Sequence, residues 1–221
     1  EFRRVLFRSM TAMRRLAADI GGTTIRIGVF DVATDRPHEV ALRTYATRDI
    51  TNPRDLVRTF LHDAGLSASA VTGAAFAIAG PVSARRAHLT NVDWAIDGDE
   101  LERTFGWPCV RLVNDLEATA LALPRLQPSE LRTLQPGTPD AAGALAVIAA
   151  GTGLGEAVLH QADGRWWPMA TEAGHADFAP RTDDDASLWR ALRAEFGRAA
   201  VEHVLSGPGF TRLHLITHAA P

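Results

Sequence analysis

Leu16-Ala17-Ala18-Asp19-Ile20-Gly21-Gly22-Thr23-Thr24-Ile25-Arg26-Ile27-Gly28-Val29 is the stretch that decides how this chain is read. Leu16 to Ile20 is a short apolar run, and after the polar turn Gly21 to Thr24 the residues Ile25, Ile27 and Val29 fall on every second position. Alternation of that kind puts one face of a strand against a core, so the segment is predicted as strand, tight glycine turn, strand. Asp19 stands at the end of the first strand. Glycine lets backbone N–H groups come close to an anion, and a neighbouring carboxylate can hold magnesium through water. Taken alone, a β-hairpin turn with an incidental Asp explains the same residues equally well.

The pattern returns about 130 residues later. Ala144 to Ala149 is an apolar strand, Gly151-Thr152-Gly153-Leu154-Gly155 a glycine turn, and Ala157 to His160 a second strand. Glu156 stands where a dinucleotide-binding fingerprint needs its last glycine, which disfavours a nicotinamide oxidoreductase. Two such units one domain length apart suggest a duplicated architecture.

Between them, Thr51-Asn52-Pro53 opens a helix with a cap residue and a proline in the first turn. Leu56, Val57, Phe60 and Leu61 share its apolar face, and Gly65 stops it. Val71 to Ala79 reads as a buried strand ending at Gly80-Pro81, Asp99 to Phe105 as a short helix, and Val110 to Val113 as a strand that delivers Asn114-Asp115 at its carboxyl end. A helix from Leu116 to Leu123 follows, and Pro124 to Gly143 is a proline-rich, polar connection. Asp184 to Phe196 is predicted as an amphipathic helix with Leu188, Trp189, Leu192 and Phe196 inward, Glu202 as part of a helix, and Gly207-Pro208-Gly209 as a break before one more helical stretch. Trp166 and Trp167 beside Pro168 read as packing residues rather than a stacking platform for carbohydrate.

Composition bounds the chemistry. Hydrophobic residues make up 46% of 221, enough for a sizeable core, and the formal charge of -3 offers no broad basic surface to a nucleic acid. All 23 basic residues are arginine, which excludes a Walker A loop, a protein-kinase strand lysine and a lysine Schiff base. Cys109 is the single cysteine, so an internal disulfide and a cysteine metal cage are excluded, and a cytoplasmic setting is expected. No run reaches the roughly 20 apolar residues needed to span a bilayer, so no membrane partner is expected. Glu1 to Ser9 lacks a signal-peptide pattern and reads as non-native sequence joined to a start at Met10 or Met13.

Two glycine hairpins with Asn114-Asp115 at a strand end between them resemble the actin, hexokinase and sugar-kinase superfamily, in which paired hairpins hold the phosphates of ATP. The closer resemblance, from about Leu16 to Leu213, is to bacterial glucokinases. It is carried by Ala18-Asp19-Ile20-Gly21-Gly22-Thr23, Ala77-Ile78-Ala79-Gly80-Pro81-Val82, Leu89-Thr90-Asn91 with Trp94, and Val113-Asn114-Asp115. Further along it takes in Gly151 to Gly155, Glu172-Ala173-Gly174-His175-Ala176-Asp177-Phe178-Ala179-Pro180, and Val204-Leu205-Ser206-Gly207-Pro208-Gly209. The resemblance implies an α/β, two-domain actin/hexokinase-like (ribonuclease H-like) fold. With 1–13 read as a non-native or disordered leader, it implies a small first domain over 14–113 and a larger sugar- and nucleotide-binding domain over 114–221 that lacks its carboxyl-terminal part.

It further implies an ATP-dependent phosphorylation of a hexose, most readily glucose to glucose 6-phosphate, with Mg2+ and ATP, and is compatible with a homodimer. Asp115 would be the catalytic base, with Asn114, Glu172, His175 and Glu202 on the other sugar hydroxyls. A sugar offers a ring of donors and acceptors that carboxylates and amides match. The turns Gly21, Gly22, Thr23, Thr24 and Gly151, Thr152, Gly153 would take the ATP phosphates, and Asp19 the magnesium through water. Asn91 and Asp177 are site neighbours or turn residues. Glu172 and His175 have Glu-x-x-His spacing, but the motif occurs once and contains glycine, so a di-iron bundle is disfavoured. Thr24 stands where relatives usually have Asn, and Ala173 where they have Gly, a change that is tolerable unless φ there is positive. The alternative is a sugar-sensing regulator on the same fold, which could dispense with Asp19 or Asp115; both are present.

Overall fold

The computed structural model of the protein describes residues 13–32, 36–89, 92–140 and 142–218. The expected leader apart from Met13, and Asn91, lie outside the described residues. The deciding stretch forms β1 (Arg14–Ile20) and β2 (Thr24–Asp31), paired antiparallel with Ile20 opposite Ile25. Leu16, Ile20, Ile25, Ile27 and Val29 are fully buried, which is why the alternation was readable: each sits on the face that meets the core. β3 (His38–Ala46) extends this meander on its outer edge, where most of its side chains stay exposed.

A helix returns the chain to the other edge. α1 (Pro53–Asp63) starts at Asn52, whose side chain accepts from the Asp55 N–H, an arrangement worth about 1 kcal/mol, and Pro53 fills a first-turn position that needs no donor. Leu56, Val57, Phe60 and Leu61 are buried against the sheet, and truncating Phe60 to Ala would cost about 3–5 kcal/mol. β4 (Ala74–Ile78) then lies parallel to β1. The excursion that follows, β5 (Val82–Ser83), β6 (Arg86–Leu89) and β7 (Trp94–Asp97), makes a separate three-stranded sheet. α2 (Gly98–Phe105), capped by Asp97, leads into β8 (Val110–Asn114), parallel to β4. Glu102 fastens this last crossover: its Oε1 accepts from the Val110 N–H at 2.7 Å and from Arg85 at 2.6 Å. Those two donors, the Val110 N–H first, hold its carboxyl below the usual range. The main sheet therefore runs β3-β2-β1-β4-β8.

The chain divides into two compact units after Asp115. The sequence reading placed the boundary after Val113, but Asn114 is still a ladder residue, paired with Ile78. α3 (Asp115–Ala122) begins at the last residue of the first unit, and residues 123–140 carry two short 3₁₀ turns and little burial. β9 (Leu145–Ala150), β10 (Leu154–Ala162) and β11 (Arg165–Thr171) form an antiparallel sheet ordered β11-β10-β9, the same meander as β3-β2-β1. One face packs Ala157 and Leu159 with Leu116, Ala120, Leu145, Val147 and Trp166. The opposite face leaves Ile148, Trp167 and Met169 largely exposed. Of the two tryptophans expected to pack, Trp166 does so and Trp167 does not; they are neighbours in a strand and so face opposite sides.

α4 (Asp183–Phe196) is capped by Thr182 and closed by Gly197 at φ 77°. Leu188 and Leu192 are buried as the pattern requires, but Phe196 is exposed, stacked on His203 at 4.2 Å with Arg212 over its ring. It is the last helical residue, beyond the reach of the small core beneath α4. α5 runs Gly207–His218, so Gly207-Pro208-Gly209 begins this helix rather than preceding it. Proline suits a first turn whose N–H groups have no helical partner, and the buried Ser206 hydroxyl accepts from the Gly209 N–H at 3.0 Å. No described helix is long and apolar enough to cross a membrane.

Candidate functional site

In the first unit three strands end side by side. Ile20, Ile78 and Asn114 are successive partners across β1, β4 and β8, so Asp19, Asn114 and Asp115 all lie at the carboxyl edge of the parallel part of the sheet. That edge is where open α/β sheets bind ligands. Asp19 is exposed, while Asn114 and Asp115 are half-buried at the junction of β8 and α3. Asn114 Nδ2 donates to the Gly80 carbonyl at 3.2 Å, which turns its amide toward the end of β4.

The first glycine turn is held from outside. Gly21 N–H donates to the Thr24 carbonyl at 3.0 Å, and a Cβ on Gly21 would itself meet that oxygen at 3.0 Å. Thr47, fully buried, donates its hydroxyl to the Gly21 carbonyl at 2.8 Å and its N–H to the Thr23 carbonyl at 3.0 Å. Both bonds fix the path of Gly21, Gly22, Thr23 and Thr24 while leaving Thr23 and Thr24 exposed. Thr47 escaped the sequence reading because a threonine before Arg48-Asp49 carries no pattern; its burial comes only from the docking of the end of β3 against the turn.

The second turn is one residue shorter. Ala150 pairs with Leu154 across Gly151, Thr152 and Gly153, and Gly151 N–H donates to the Gly153 carbonyl at 2.8 Å. Two elements brace it: Gly207 N–H donates to the Gly151 carbonyl at 2.8 Å, and Glu202 Oε2 accepts from the Leu154 N–H at 2.8 Å. A Cβ at Gly153 would lie 2.5 Å from that Glu202 oxygen, so any larger residue there displaces the carboxylate from the turn.

Glu202 sits on a 3₁₀ turn, Val201–His203, and not on the helix expected for it. Gly197 ends α4, and the chain that follows pairs with residues 176–178: Phe178 N–H donates to Ala199 O, Val201 N–H to Ala176 O, and Asp177 bridges Ala200. This pairing brings Glu202 beside His175. His175 Nδ1 is 3.8 Å from Glu202 Oε1 and its Nε2 is 3.6 Å from Glu172 Oε2. Glu172, His175 and Glu202 thus form one cluster within the second unit, with side-chain exposures of 90%, 56% and 27%. Arg198, another residue without a sequence signal, ties the cluster down by donating to the His175 carbonyl and pairing with Asp177 at 3.2 Å.

Asp177 therefore has a structural partner. Ala173 has no positive φ, since among the described non-glycine residues only Ala84, Arg85 and Asp163 do, so alanine fits there without strain. Gly174 is the residue that cannot change: a Cβ would lie 2.2 Å from the Leu154 carbonyl oxygen. Among the described residues no group of three His, Cys, Asp or Glu is placed to hold a metal ion. Asp19, a single exposed carboxylate at a strand end, fits water-mediated contact with a magnesium ion carried on nucleotide phosphates rather than a resident metal.

The sequence profile of the glucokinase family matches residues 16–221. The glucokinase of Caulobacter sp. strain K31 is 38% identical over 201 residues, covering 91% of this chain and 60% of that protein. The glucokinase of Salmonella typhi is 35% identical over 199 residues, covering 90% and 60%. Among solved structures, glucokinase from an Antarctic psychrotroph matches with a TM-score of 0.82 at 31% identity, covering 93% of this chain and 64% of that one. The chain spans about 60% of the length of these curated relatives. With the profile running from residue 16 to residue 221 and identity at this level, the chain belongs to the glucokinase family.

Proposed function

We propose that the whole protein carrying this sequence transfers the γ-phosphoryl group of ATP to the 6-hydroxyl of a hexose, glucose first among them. The observation that carries the reading is that each unit pairs a braced glycine turn with groups suited to a polyol: Asn114 and Asp115, at the sheet edge that also carries Asp19, and Glu172, His175 and Glu202 clustered beside the second turn.

Asp115 accepts the proton of the 6-hydroxyl as its oxygen forms the bond to the γ-phosphorus and the bond from that phosphorus to the ADP oxygen breaks. A loose phosphoryl transition state asks mainly for alignment and late proton acceptance, so an ordinary carboxylate suffices. Asn114, Glu172, His175 and Glu202 bind the other hydroxyls and reject analogues that would leave a polar partner unsatisfied. The backbone N–H groups of the two turns receive phosphate oxygens, a task that falls to them and to arginine in a chain without lysine. Magnesium bound with ATP, met by Asp19 through water, supplies charge neutralisation at the β- and γ-phosphates. A reducing, cytoplasmic setting accords with one free cysteine.

The test is a coupled assay of the whole protein over a panel of hexoses with ATP, ADP and polyphosphate. Turnover with glucose and ATP is expected. Glucose binding without turnover on any donor would contradict the reading and favour a sugar-sensing regulator.

A further inference from the structure

We infer that Glu202 is a positioning residue that couples the hexose subsite of the second unit to its phosphate turn, so that occupancy of either strengthens the other. The inference rests on the proposed reading, in which the Glu172–His175 side takes hexose and the Gly151–Gly153 turn takes phosphate.

One carboxylate faces both. Oε2 is committed to the Leu154 N–H at 2.8 Å, and Leu154 is the residue that closes the turn opposite Ala150. Oε1 faces His175 Nδ1 at 3.8 Å, a separation too long for a hydrogen bond and open to a donor from a ligand. The side chain has little freedom to serve one side without the other. It is the least exposed of the three clustered groups, and its Oε2 lies directly against Gly153, where a Cβ would come within 2.5 Å of it. From the other direction, the Glu172–His175 turn touches the same residue, because Gly174 packs on the Leu154 carbonyl. Leu154 therefore receives the carboxylate on its N–H and the sugar-side turn on its C=O. A hydroxyl donated to Oε1 fixes the carboxylate, and the fixed carboxylate stiffens the turn whose N–H groups receive phosphate. Linkage makes the effect reciprocal: a phosphate on the turn must raise hexose affinity by the factor that hexose raises nucleotide affinity.

The experiment is calorimetry of glucose binding to the whole protein with and without a non-hydrolysable ATP analogue, for wild type, Glu202→Ala, Glu202→Gln and Glu172→Ala. Wild type is expected to gain about fivefold or more in glucose affinity from the analogue. Glu202→Ala should bring that ratio to about one. Glu202→Gln weakens glucose binding but keeps much of the ratio, since its amide oxygen still accepts the Leu154 N–H; Glu172→Ala weakens glucose binding and keeps the ratio. A wild-type ratio of one, or an undiminished ratio in Glu202→Ala, overturns the coupling while the proposed reaction stands. Absence of glucose binding to wild type defeats the proposed reaction and this inference together. Hydrogen exchange at the Leu154 amide of wild type decides the matter should Glu202→Ala not fold: glucose alone should slow it, and unchanged exchange in glucose-saturated protein contradicts the coupling.

Discussion

Thr47 Oγ1 donates to the Gly21 carbonyl oxygen at 2.8 Å from a side chain with no solvent exposure. The bond explains how a turn of two glycines and two threonines keeps one shape at a sheet edge. Thr47→Val removes the hydroxyl at nearly constant volume and leaves a carbonyl without that donor, a loss of about 1–3 kcal/mol. Chemical denaturation should show it, and in the whole protein KM for ATP should rise more than KM for glucose. Thr47→Ser should restore both, whereas a valine variant with unchanged stability and KM values would remove Thr47 from the phosphate turn.

Gly174 makes the reciprocal case in the second unit. Gly174→Ala drives a methyl group to within 2.2 Å of the Leu154 carbonyl, so the Glu172–His175 turn must move off β10. Overpacking of this kind costs about 1–3 kcal/mol, and glucose affinity should fall more than nucleotide affinity. Gly137→Ala, which meets nothing within 4 Å, is the control and should change stability by less than about 0.5 kcal/mol. Equal effects at the two glycines would contradict the assigned contact.

Tyr45 is the single tyrosine, so the phenolate absorbance band reports one group. Burial, with its hydrogen bond to Asp63 Oδ2 at 2.9 Å, pushes its pKa up to about 12. The raised value means that the contribution of this contact to stability is intact below the unfolded pKa near 10 and is lost as pH rises through about 12. Spectrophotometric titration should find the high midpoint, and Asp63→Asn should lower it. A midpoint near 10 in the folded wild type would contradict the contact.

Asp19→Ala in the whole protein should lower kcat by about a hundredfold, with little change in glucose binding when no nucleotide is present. Its place at the end of β1, beside the turn proposed to take phosphate and in the first unit, is the reason. Collapse of glucose affinity in calorimetry without ATP would reassign Asp19 to the sugar.

Much of the fold was legible because the decisive residues serve local and tertiary structure at once. Ile20, Ile25, Ile27 and Val29 alternate because one face of a two-strand ladder is buried, and Asn52-Pro53 announces α1 through its own cap chemistry. The hairpin of β9 and β10 was legible instead from the apolar run before Gly151-Thr152-Gly153 and the return of the glycine turn itself. β3 and β11 were not, since edge strands with exposed side chains need no apolar alternation. Phe196 was misplaced because periodicity says which face a residue takes and not whether a core extends beneath it. The candidate residues Asn114, Asp115, Glu172 and His175 could be named from a resemblance, but the double duty of Glu202 could not. A hydrogen bond from Leu154 to a carboxylate 48 positions away depends on how residues 176–178 pair with 199–201, and no spacing in the chain encodes that.

Phosphoryl transfer with Asp115 as the base is tested most directly by Asp115→Asn in the whole protein, with kcat for glucose 6-phosphate formation and glucose affinity measured on the same preparation. The amide keeps the shape and one acceptor at the end of β8 but cannot take a proton. kcat should fall by about a hundredfold or more, while glucose affinity changes by less than about tenfold. A variant that keeps more than about a tenth of wild-type kcat would show that Asp115 is not the base.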